Sequence, residues 1–198
     1  MPQVTLTATK DNGMQNNAAD TNNDAAGYVQ VGEWDAGAEI DRGLFQFDLT
    51  SIPTGVTVQI ATFRLYDEGT ALSSNTRTMR VYRCLRVWGE TTSTWNSYDT
   101  ALTWQTAGAS GANDREATDI GSISMPATEV AGYNDITLTA SSIQEMIPGG
   151  SFTNNGFVLQ MDTEVDDMHR FSNRGDANQE PLLVVTYITG SGLQSKYW

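Results

Sequence analysis

The stretch Gly43-Leu44-Phe45-Gln46-Phe47-Asp48-Leu49 decides the fold class, because its side chains alternate in character along the chain. Phe45, Phe47 and Leu49 share one face of an extended backbone, and polar residues lie between them. This period of two is typical of a strand with one buried face. The stretch therefore predicts a β-sheet with a hydrophobic core on one side.

The same alternation recurs along the whole chain, which predicts several further strands. They fall at residues 4–9, 27–32, 61–66 and 79–85. Two nearly continuous apolar runs, residues 156–161 and 182–187, predict central strands that are covered on both faces. Strands at this spacing, separated by loops rich in Asn, Gly and Ser, are typical of an antiparallel sandwich or jelly roll.

Helical signal is confined to one segment, residues 139–147. Ile143, Met146 and Ile147 recur there at helical spacing, and Pro148 ends the pattern. The sequence therefore predicts one short helix within a β protein.

The strand pattern also predicts how the chain is organised. The polar stretches at residues 11–26 and 100–119 lie between strands and are predicted to be extended loops rather than linkers. We expect an all-β fold, a single antiparallel β-sandwich of jelly-roll type with one short helix. This domain covers residues 1–187, and a flexible tail follows at residues 188–198.

The amino-acid composition of the chain indicates which kinds of partner it is unsuited to bind. With 11 Lys and Arg against 24 Asp and Glu, the chain of 198 residues has a formal charge of −13. Nucleic-acid binding needs a basic surface to contact phosphates, so we expect no nucleic-acid partner. The chain lacks a long apolar run and a cationic, apolar N-terminal leader, so we expect neither a membrane partner nor an export signal. Cys84 is the single cysteine, which excludes a disulfide within the chain.

Several segments in the same order resemble the DNRLRE domain family. They are residues 42–55, Ala61, Leu65-Tyr66, Val81-Tyr82-Arg83, Trp88-Gly89-Glu90, Thr94-Trp95, residues 155–159, residues 171–174 and residues 180–187. The resemblance implies a β-jelly-roll module that binds polysaccharide, attached to secreted enzymes or free-standing in phage genomes. In relatives that bind polyuronates it implies a ligand face lined with Lys and Arg. Here the matching region offers only Lys10 and Arg42 among seven acidic residues, which disfavours an acidic glycan.

Glycan binding requires flat aromatic faces that lie against sugar rings and polar groups that hydrogen-bond hydroxyls. Aromatic residues in or beside polar loops are the best candidates, whereas Trp88 and Trp95 are predicted to pack in the core. The candidate glycan-binding residues are Lys10, Tyr28, Trp34, Arg42, Tyr98 and Trp104.

A weak metal pattern occurs in the first polar stretch. Asp20, Asn22 and Asp24 place oxygen ligands at alternate positions, as the first half of a calcium loop does. Ala25 and Val31 occupy the positions where an EF-hand needs Gly and Glu, so an EF-hand is excluded. We expect no required cofactor, and a structural calcium ion at this loop is the one candidate.

No catalytic motif stands out. Glu90, Asp162 and the Asp166-Asp167 pair supply carboxylates, but sequence does not place any two of them across a glycosidic bond. His169 has no motif around it that indicates a nucleophile or a metalloprotease, and it is predicted to lie in a strand or loop. We therefore expect that the protein is not an enzyme.

The tail after the last predicted strand begins with a Gly-Ser spacer and ends with aromatic residues. Leu193, Tyr197 and Trp198 are candidates for docking on a partner or a sister subunit, and a frayed tail is the alternative.

Two functions fit these expectations. The first is a non-catalytic virion surface protein of a phage, a decoration or fibre protein. It would dock on capsid or tail proteins, form a homo-oligomer and bind a polysaccharide. The alternative is a carbohydrate-binding module of a secreted polysaccharide-degrading enzyme. The expected location is the virion surface for the first and the extracellular space for the second.

Overall fold

A computed structural model describes residues 1–34, 38–70 and 74–189. Within these ranges the chain forms twelve strands, one short α-helix and one 3-10 turn at Asp24–Ala26. The strands are β1 (Gln3–Gln15), β2 (Tyr28–Trp34), β3 (Glu39–Phe47), β4 (Val56–Asp67), β5 (Arg77–Arg83), β6 (Ser97–Asp99), β7 (Leu102–Thr103), β8 (Gly121–Met125), β9 (Gly132–Leu138), β10 (Phe157–Met161), β11 (His169–Ser172) and β12 (Leu182–Thr189). The helix is α1 (Ala140–Met146). The predictions of an all-β fold and of one short helix are confirmed.

The hydrogen-bonded pairs close the main sheet into an eight-stranded antiparallel barrel. Its strands follow one another in the order β1, β12, β4, β9, β8, β5, β10 and β3, and β3 pairs again with β1. Closure removes the exposed edges that two separate sheets would have. The predicted jelly-roll sandwich is therefore wrong, because alternation along each strand specifies a buried face but not whether the sheet closes.

A ribbon of β2 and β11 joins two strands of the barrel. β2 pairs with β3 through residues 32–34, and β11 pairs with β4 where Phe171 meets Asp67. Val29, Val31 and Phe171 of this ribbon are buried in the main core. The ribbon therefore covers the barrel interior and brings the ends of β3 and β4 into one region.

Aromatic side chains fill the centre of the barrel. Phe63 lies against Phe45, Phe47 and Phe157, with ring centroids 5.3, 5.4 and 5.7 Å away. The first two contacts are edge-to-face, an arrangement that favours association beyond the area that the rings bury. The face of β3 that was predicted from its alternation is thus the face that packs in the core.

A second, smaller core lies on the outer side of the barrel, beneath the long segment of residues 85–119. Leu44 and Val158 belong to it, although their neighbours Phe45 and Phe157 face the barrel interior. Trp88 and Trp104 come from the segment that covers these strands. The remaining members are Met14, Tyr82, Cys84 and Ala109.

The prediction that the two apolar runs are strands covered on both faces holds for one of them only in part. β10 is buried on both faces at Phe157-Val158-Leu159, because the 85–119 segment covers its outer side, so that prediction is confirmed. In β12, Leu183 and Val185 are buried, whereas Leu182 and Val184, which alternate with them, are only partly buried, so its outer face is incompletely covered.

Two boundaries differ from the sequence expectation. β1 continues to Gln15, because its second half pairs with β3, so the predicted loop at residues 11–26 starts later. β12 continues to Thr189, which pairs with Val56. The predicted docking residues Leu193, Tyr197 and Trp198 lie outside the described residues. Among the described residues, no helix has the length and apolar character needed to cross a membrane.

Candidate functional site

A small polar pocket opens where β1, β2, β3 and the 3-10 turn meet. Its walls are formed by Gly13, Gln15, Asn23, Ala26, Tyr28, Gln30 and Asp41. The pocket has about 30 Å³ of free volume, and its empty space reaches about 250 Å³ when the opening to solvent is included. The free volume holds about two water-sized groups, so the pocket suits a substituent rather than a whole sugar ring.

Asp41 is the unusual residue of this pocket, because its carboxyl group is buried without a basic partner. The residue has no exposed surface, and within the described chain its Oδ1 atom has no hydrogen-bond partner. Gln15 Nε2 lies 3.4 Å from Asp41 Oδ2 and 3.4 Å from Glu39 Oε1, so one amide bridges two carboxyl groups.

Burial is the main cause that raises the pKa of Asp41 to about 8, and the nearby charge of Glu39 contributes to this rise. The Asp41 carboxyl is therefore protonated at neutral pH, and it offers an O–H donor as well as an acceptor. A neutral carboxyl group beside the amides of Gln15 and Gln30 is suited to hydrogen-bonding a hydroxyl group.

Tyr28 forms one side of the pocket, and a cation fixes its ring. The guanidinium carbon of Arg170 lies 4.1 Å from the centre of the Tyr28 ring. Stacking of this kind stabilises the ring orientation. The Tyr28 side chain is partly exposed, so the ring is held in place beside the opening.

A broader depression lies on the other side of the 3-10 turn. It has a volume of about 470 Å³ and is lined by Asp24, Ala25, Gly27, Asn173, Gly175, Asp176 and Ala177. The 3-10 turn therefore separates a narrow pocket from an open, polar surface that is large enough for a sugar ring.

The six residues predicted to bind glycan do not form one site. Tyr28 lines the pocket, and Trp34 lies on the same strand with 45% of its surface exposed. Trp104 is only 4% exposed and donates its indole N–H to the carbonyl of Thr94, so it has no open face. Tyr98 packs beside Trp104, with ring centroids 5.5 Å apart. Trp88 is buried, as predicted.

The two predicted cationic residues are both committed to other contacts. Arg42 forms a bidentate pair with Glu164 at 2.8 and 3.0 Å, donates to the Gly108 carbonyl and lies over the Trp95 ring. Lys10 Nζ donates to the carbonyl of Trp88 at 3.1 Å. Neither residue lines the polar pocket.

Sequence reasoning missed Asp41, Gln15 and Gln30. The spacing of Tyr28 and Gln30 on one strand was a usable signal, since residues two apart share a face. Asp41 carried no such signal, because its burial comes from the meeting of three strands that are distant in sequence.

The predicted calcium residues are only partly brought together. Asn22 donates its amide to the carbonyls of Glu90 and Ser93, and Asp20 accepts from Asn96. Asp24 instead joins Asp11 and Glu90, with one oxygen from each lying within 4.8 Å of the others. The expectation of a calcium ion at Asp20, Asn22 and Asp24 stays a prediction, and of these three residues only Asp24 lies in this carboxylate group.

Arg174 already balances part of the charge of this group. Its backbone N–H donates to Asp11 Oδ2 at 2.6 Å, and its guanidinium forms two hydrogen bonds with Glu90, one of them 2.9 Å long. Burial raises the pKa of Asp11 to about 6, and the Arg174 backbone hydrogen bond opposes that rise.

The carboxylates that were weighed for catalysis have other partners. Glu90 is paired with Arg174, and Asp167 accepts the backbone N–H of Glu33 at 2.8 Å. Asp162 is exposed and lies 3.9 Å from Arg80. His169 lies in β11, as predicted.

Comparison with known families corrects the resemblance drawn from the sequence. The family model described as the disaggregatase related repeat domain matches residues 11–185. The DNRLRE assignment is therefore wrong, and the phage and capsid descriptions that were drawn from it lose their basis. Among curated proteins the chain has no significant match.

Proposed function

We propose, from the fact that the chain belongs to the disaggregatase related repeat family, that it is a non-catalytic carbohydrate-binding module. Its ligand is a neutral polysaccharide, and the polar pocket at β1, β2 and β3 receives one substituent of a sugar unit. The observation that carries this proposal is the buried, unpartnered Oδ1 of Asp41 at the base of a pocket with Tyr28 beside its opening.

The size of the pocket supports recognition of a substituent. Free volume of about 30 Å³ admits a hydroxyl or hydroxymethyl group but not a pyranose ring. The ring would lie outside the pocket, against the side chain of Tyr28. This division of roles is common in sugar sites, where an aromatic face supplies contact area and polar groups fix orientation.

The charge around the pocket supports a neutral ligand. Glu39 lies close to Asp41, and the cation nearest to Tyr28 is already stacked on its ring. The described lining of the pocket includes no basic residue, so a carboxylate-bearing sugar would lack a cationic partner there, on a protein of net charge −13.

The neighbouring carboxyl groups of Asp41 and Glu39 raise the question of whether the pocket is catalytic. A protonated carboxyl group next to a second carboxyl group is also a feature of glycoside hydrolases. The pocket, however, takes a substituent rather than a glycosidic bond. We therefore expect no release of reducing ends from any polysaccharide that the protein binds.

The location and partners follow from this function. A module that binds neutral polysaccharide is expected to work outside the cell, with polysaccharide as its partner. Self-association through the tail stays a prediction from the sequence.

The test is binding to a panel of neutral polysaccharides and alginate, at low and high salt, by affinity electrophoresis and calorimetry. Tyr28→Ala should weaken binding to a neutral chain by about tenfold or more, since 1.4 kcal/mol corresponds to a factor of ten. Tyr133→Ala is the matched control, because Tyr133 also carries a stacked arginine, Arg64 at 4.8 Å, but lies on β9.

Two results would contradict the proposal. One is tight binding of alginate at low salt that salt abolishes. The other is hydrolysis of a bound chain that Asp41→Asn or Glu39→Gln abolishes, which would make the pocket an active site.

A further inference from the structure

The polar pocket and the broad depression share one wall, which we call the dividing turn. It consists of the 3-10 turn at Asp24–Ala26 and of Gly27, which follows it. Ala26 and Tyr28 line the pocket, whereas Ala25 and Gly27 line the depression. Consecutive Cα atoms are about 3.8 Å apart. The two spaces are therefore separated by the width of one segment of chain, and one ligand can reach both.

Gly27 leaves space above the dividing turn. Its φ is +82°, and a Cβ at this position would have no other atom within 4 Å. A side chain there would therefore extend into open space, which glycine leaves free. A chain of linked sugar units that places one substituent in the pocket can cross Gly27 and enter the depression.

Hydrogen bonds to β1 hold the dividing turn in place. The N–H of Ala26 donates to the carbonyl of Asn23 at 2.9 Å. Asn23 in turn donates its own N–H to Asn12 Oδ1 at 3.2 Å and its side-chain amide to the carbonyl of Gly13 at 3.1 Å. A wall that is ordered before the ligand arrives loses little conformational entropy on binding.

Asn173 supplies a hydrogen-bond donor to the depression. The residue lines the depression and is only 9% exposed. Its Oδ1 atom accepts the N–H of Gly175 at 2.9 Å, but within the part of the chain that the structure describes its Nδ2 group donates no hydrogen bond. A side-chain amide has two N–H donors, and a largely buried donor without an acceptor is unfavourable. A hydroxyl oxygen of a sugar in the depression would accept this hydrogen bond.

The size and charge of the depression suit a whole neutral sugar unit. Its volume is about 470 Å³, against about 30 Å³ of free volume in the pocket. Asp24 and Asp176 contribute carboxylates, and the described lining includes no basic residue. Carboxylates accept hydrogen bonds from hydroxyl groups and repel an anionic ligand. The depression therefore favours the same class of ligand as the pocket.

We propose that the pocket and the depression are adjacent subsites for two consecutive units of one neutral polysaccharide, which crosses the dividing turn at Gly27. This inference rests on the proposed function and adds the number of sugar units that the site recognises. The first unit lies against Tyr28 with one substituent in the pocket. The second unit lies in the depression and accepts a hydrogen bond from Asn173 Nδ2.

The test is calorimetry of the whole chain with sugars of increasing length. The probes are the mono-, di- and trisaccharides of the malto, laminari and manno series, together with starch, laminarin and mannan. In the series that binds, the disaccharide should bind at least about tenfold more tightly than the monosaccharide, because only the disaccharide reaches both subsites.

Gly27→Ala should abolish the gain in affinity from monosaccharide to disaccharide, because its methyl group occupies the crossing point. Gly55→Ala is the matched control. Gly55 also has a positive φ, +74°, and open space around a Cβ, but it lies directly before β4 and lines neither subsite. The control should keep the full gain, although both substitutions place alanine in a left-handed conformation.

Asn173→Asp tests the second subsite alone, because aspartate keeps the acceptor for Gly175 and removes the amide donor. It should weaken disaccharide binding by about tenfold and leave monosaccharide binding unchanged. Asn178→Asp adds the same charge in the same loop outside the lining of the depression, and it should change neither affinity.

The outcomes separate this inference from the proposed function. Polysaccharide binding that Tyr28→Ala weakens, with equal affinities for monosaccharide and disaccharide, would overturn the inference and leave the proposed function intact. Equal effects of Gly27→Ala and Gly55→Ala, or of Asn173→Asp and Asn178→Asp, would also overturn it. Absence of binding to all three polysaccharides would contradict the proposed function and the inference together.

Discussion

The Asp41→Asn substitution should remove a large part of the pH dependence of stability. In the folded protein, burial and Glu39 raise the pKa of Asp41 from 3.8 to about 8. A raised pKa means that the contribution of Asp41 to stability is fully present below pH 4. It is lost as the pH rises through about 8. Asparagine does not titrate, so the variant lacks this loss.

The magnitude follows from the size of the shift. Each unit of pKa corresponds to about 1.4 kcal/mol, so a rise from 3.8 to about 8 corresponds to an upper value of roughly 6 kcal/mol. Asp11 and Asp167 also have a raised pKa, about 6 for each. These two carboxyl groups are present in both proteins, so their effect cancels in the comparison.

The assay is urea unfolding of the unmodified protein and the variant at about pH 4.5, 6, 7.5 and 9, a range that covers most of the rise in the Asp41 pKa. The two free energies of unfolding should be similar at the lowest pH and diverge in favour of the variant as the pH rises. Asp48→Asn is the control, because a hydrogen bond from the backbone N–H of Thr50 lowers the pKa of exposed Asp48. Parallel curves for Asp41→Asn and the unmodified protein would refute the reasoning.

Three further predictions concern other parts of the chain. Gly156→Ala should cost about 1–3 kcal/mol more in unfolding free energy than Gly55→Ala. Both positions have positive φ, but a Cβ at Gly156 would clash with the Phe45 carbonyl, whereas nothing lies within 4 Å of a Cβ at Gly55. Urea unfolding of both variants measures the two losses of stability, and equal losses would contradict this prediction. Calcium should raise the melting temperature of EDTA-treated protein if Asp24, Asp11 and Glu90 hold an ion, and Asp24→Asn should abolish that rise; an unchanged melting curve would show that this group holds no calcium ion. Deletion of residues 190–198 should leave the barrel folded, since β12 pairs through Thr189, and should abolish self-association in analytical ultracentrifugation; an unfolded product would show that the tail is part of the barrel.

The sequence predicted seven of the twelve strands in the described residues, but it missed β6, β7, β8, β9 and β11, and it did not predict that the sheet closes. Alternation at Phe45 and Phe47 identified the core face, since a side-chain period of two is a local property. Whether a strand is covered on its outer face is not local. β10 is covered by the 85–119 segment and β12 is not, although both are apolar runs.

Of the residues that line the polar pocket, the sequence predicted only the aromatic one, Tyr28. Tyr28 was found because it stands beside a polar loop, and the same reasoning selected Trp104, whose loop folds back and buries it. Asp41 gains its properties from strands β1 and β2, which pack around β3.

A two-dimensional amide NMR titration of the whole chain with a neutral oligosaccharide that it binds would locate the ligand on the protein. The largest shifts should fall on the backbone amides of Gly13, Gln30 and Asp41, around the polar pocket, and Asp41→Asn should alter them. Shifts that centre on residues 85–119, or that are unchanged by Asp41→Asn and Tyr28→Ala, would contradict the proposed binding site.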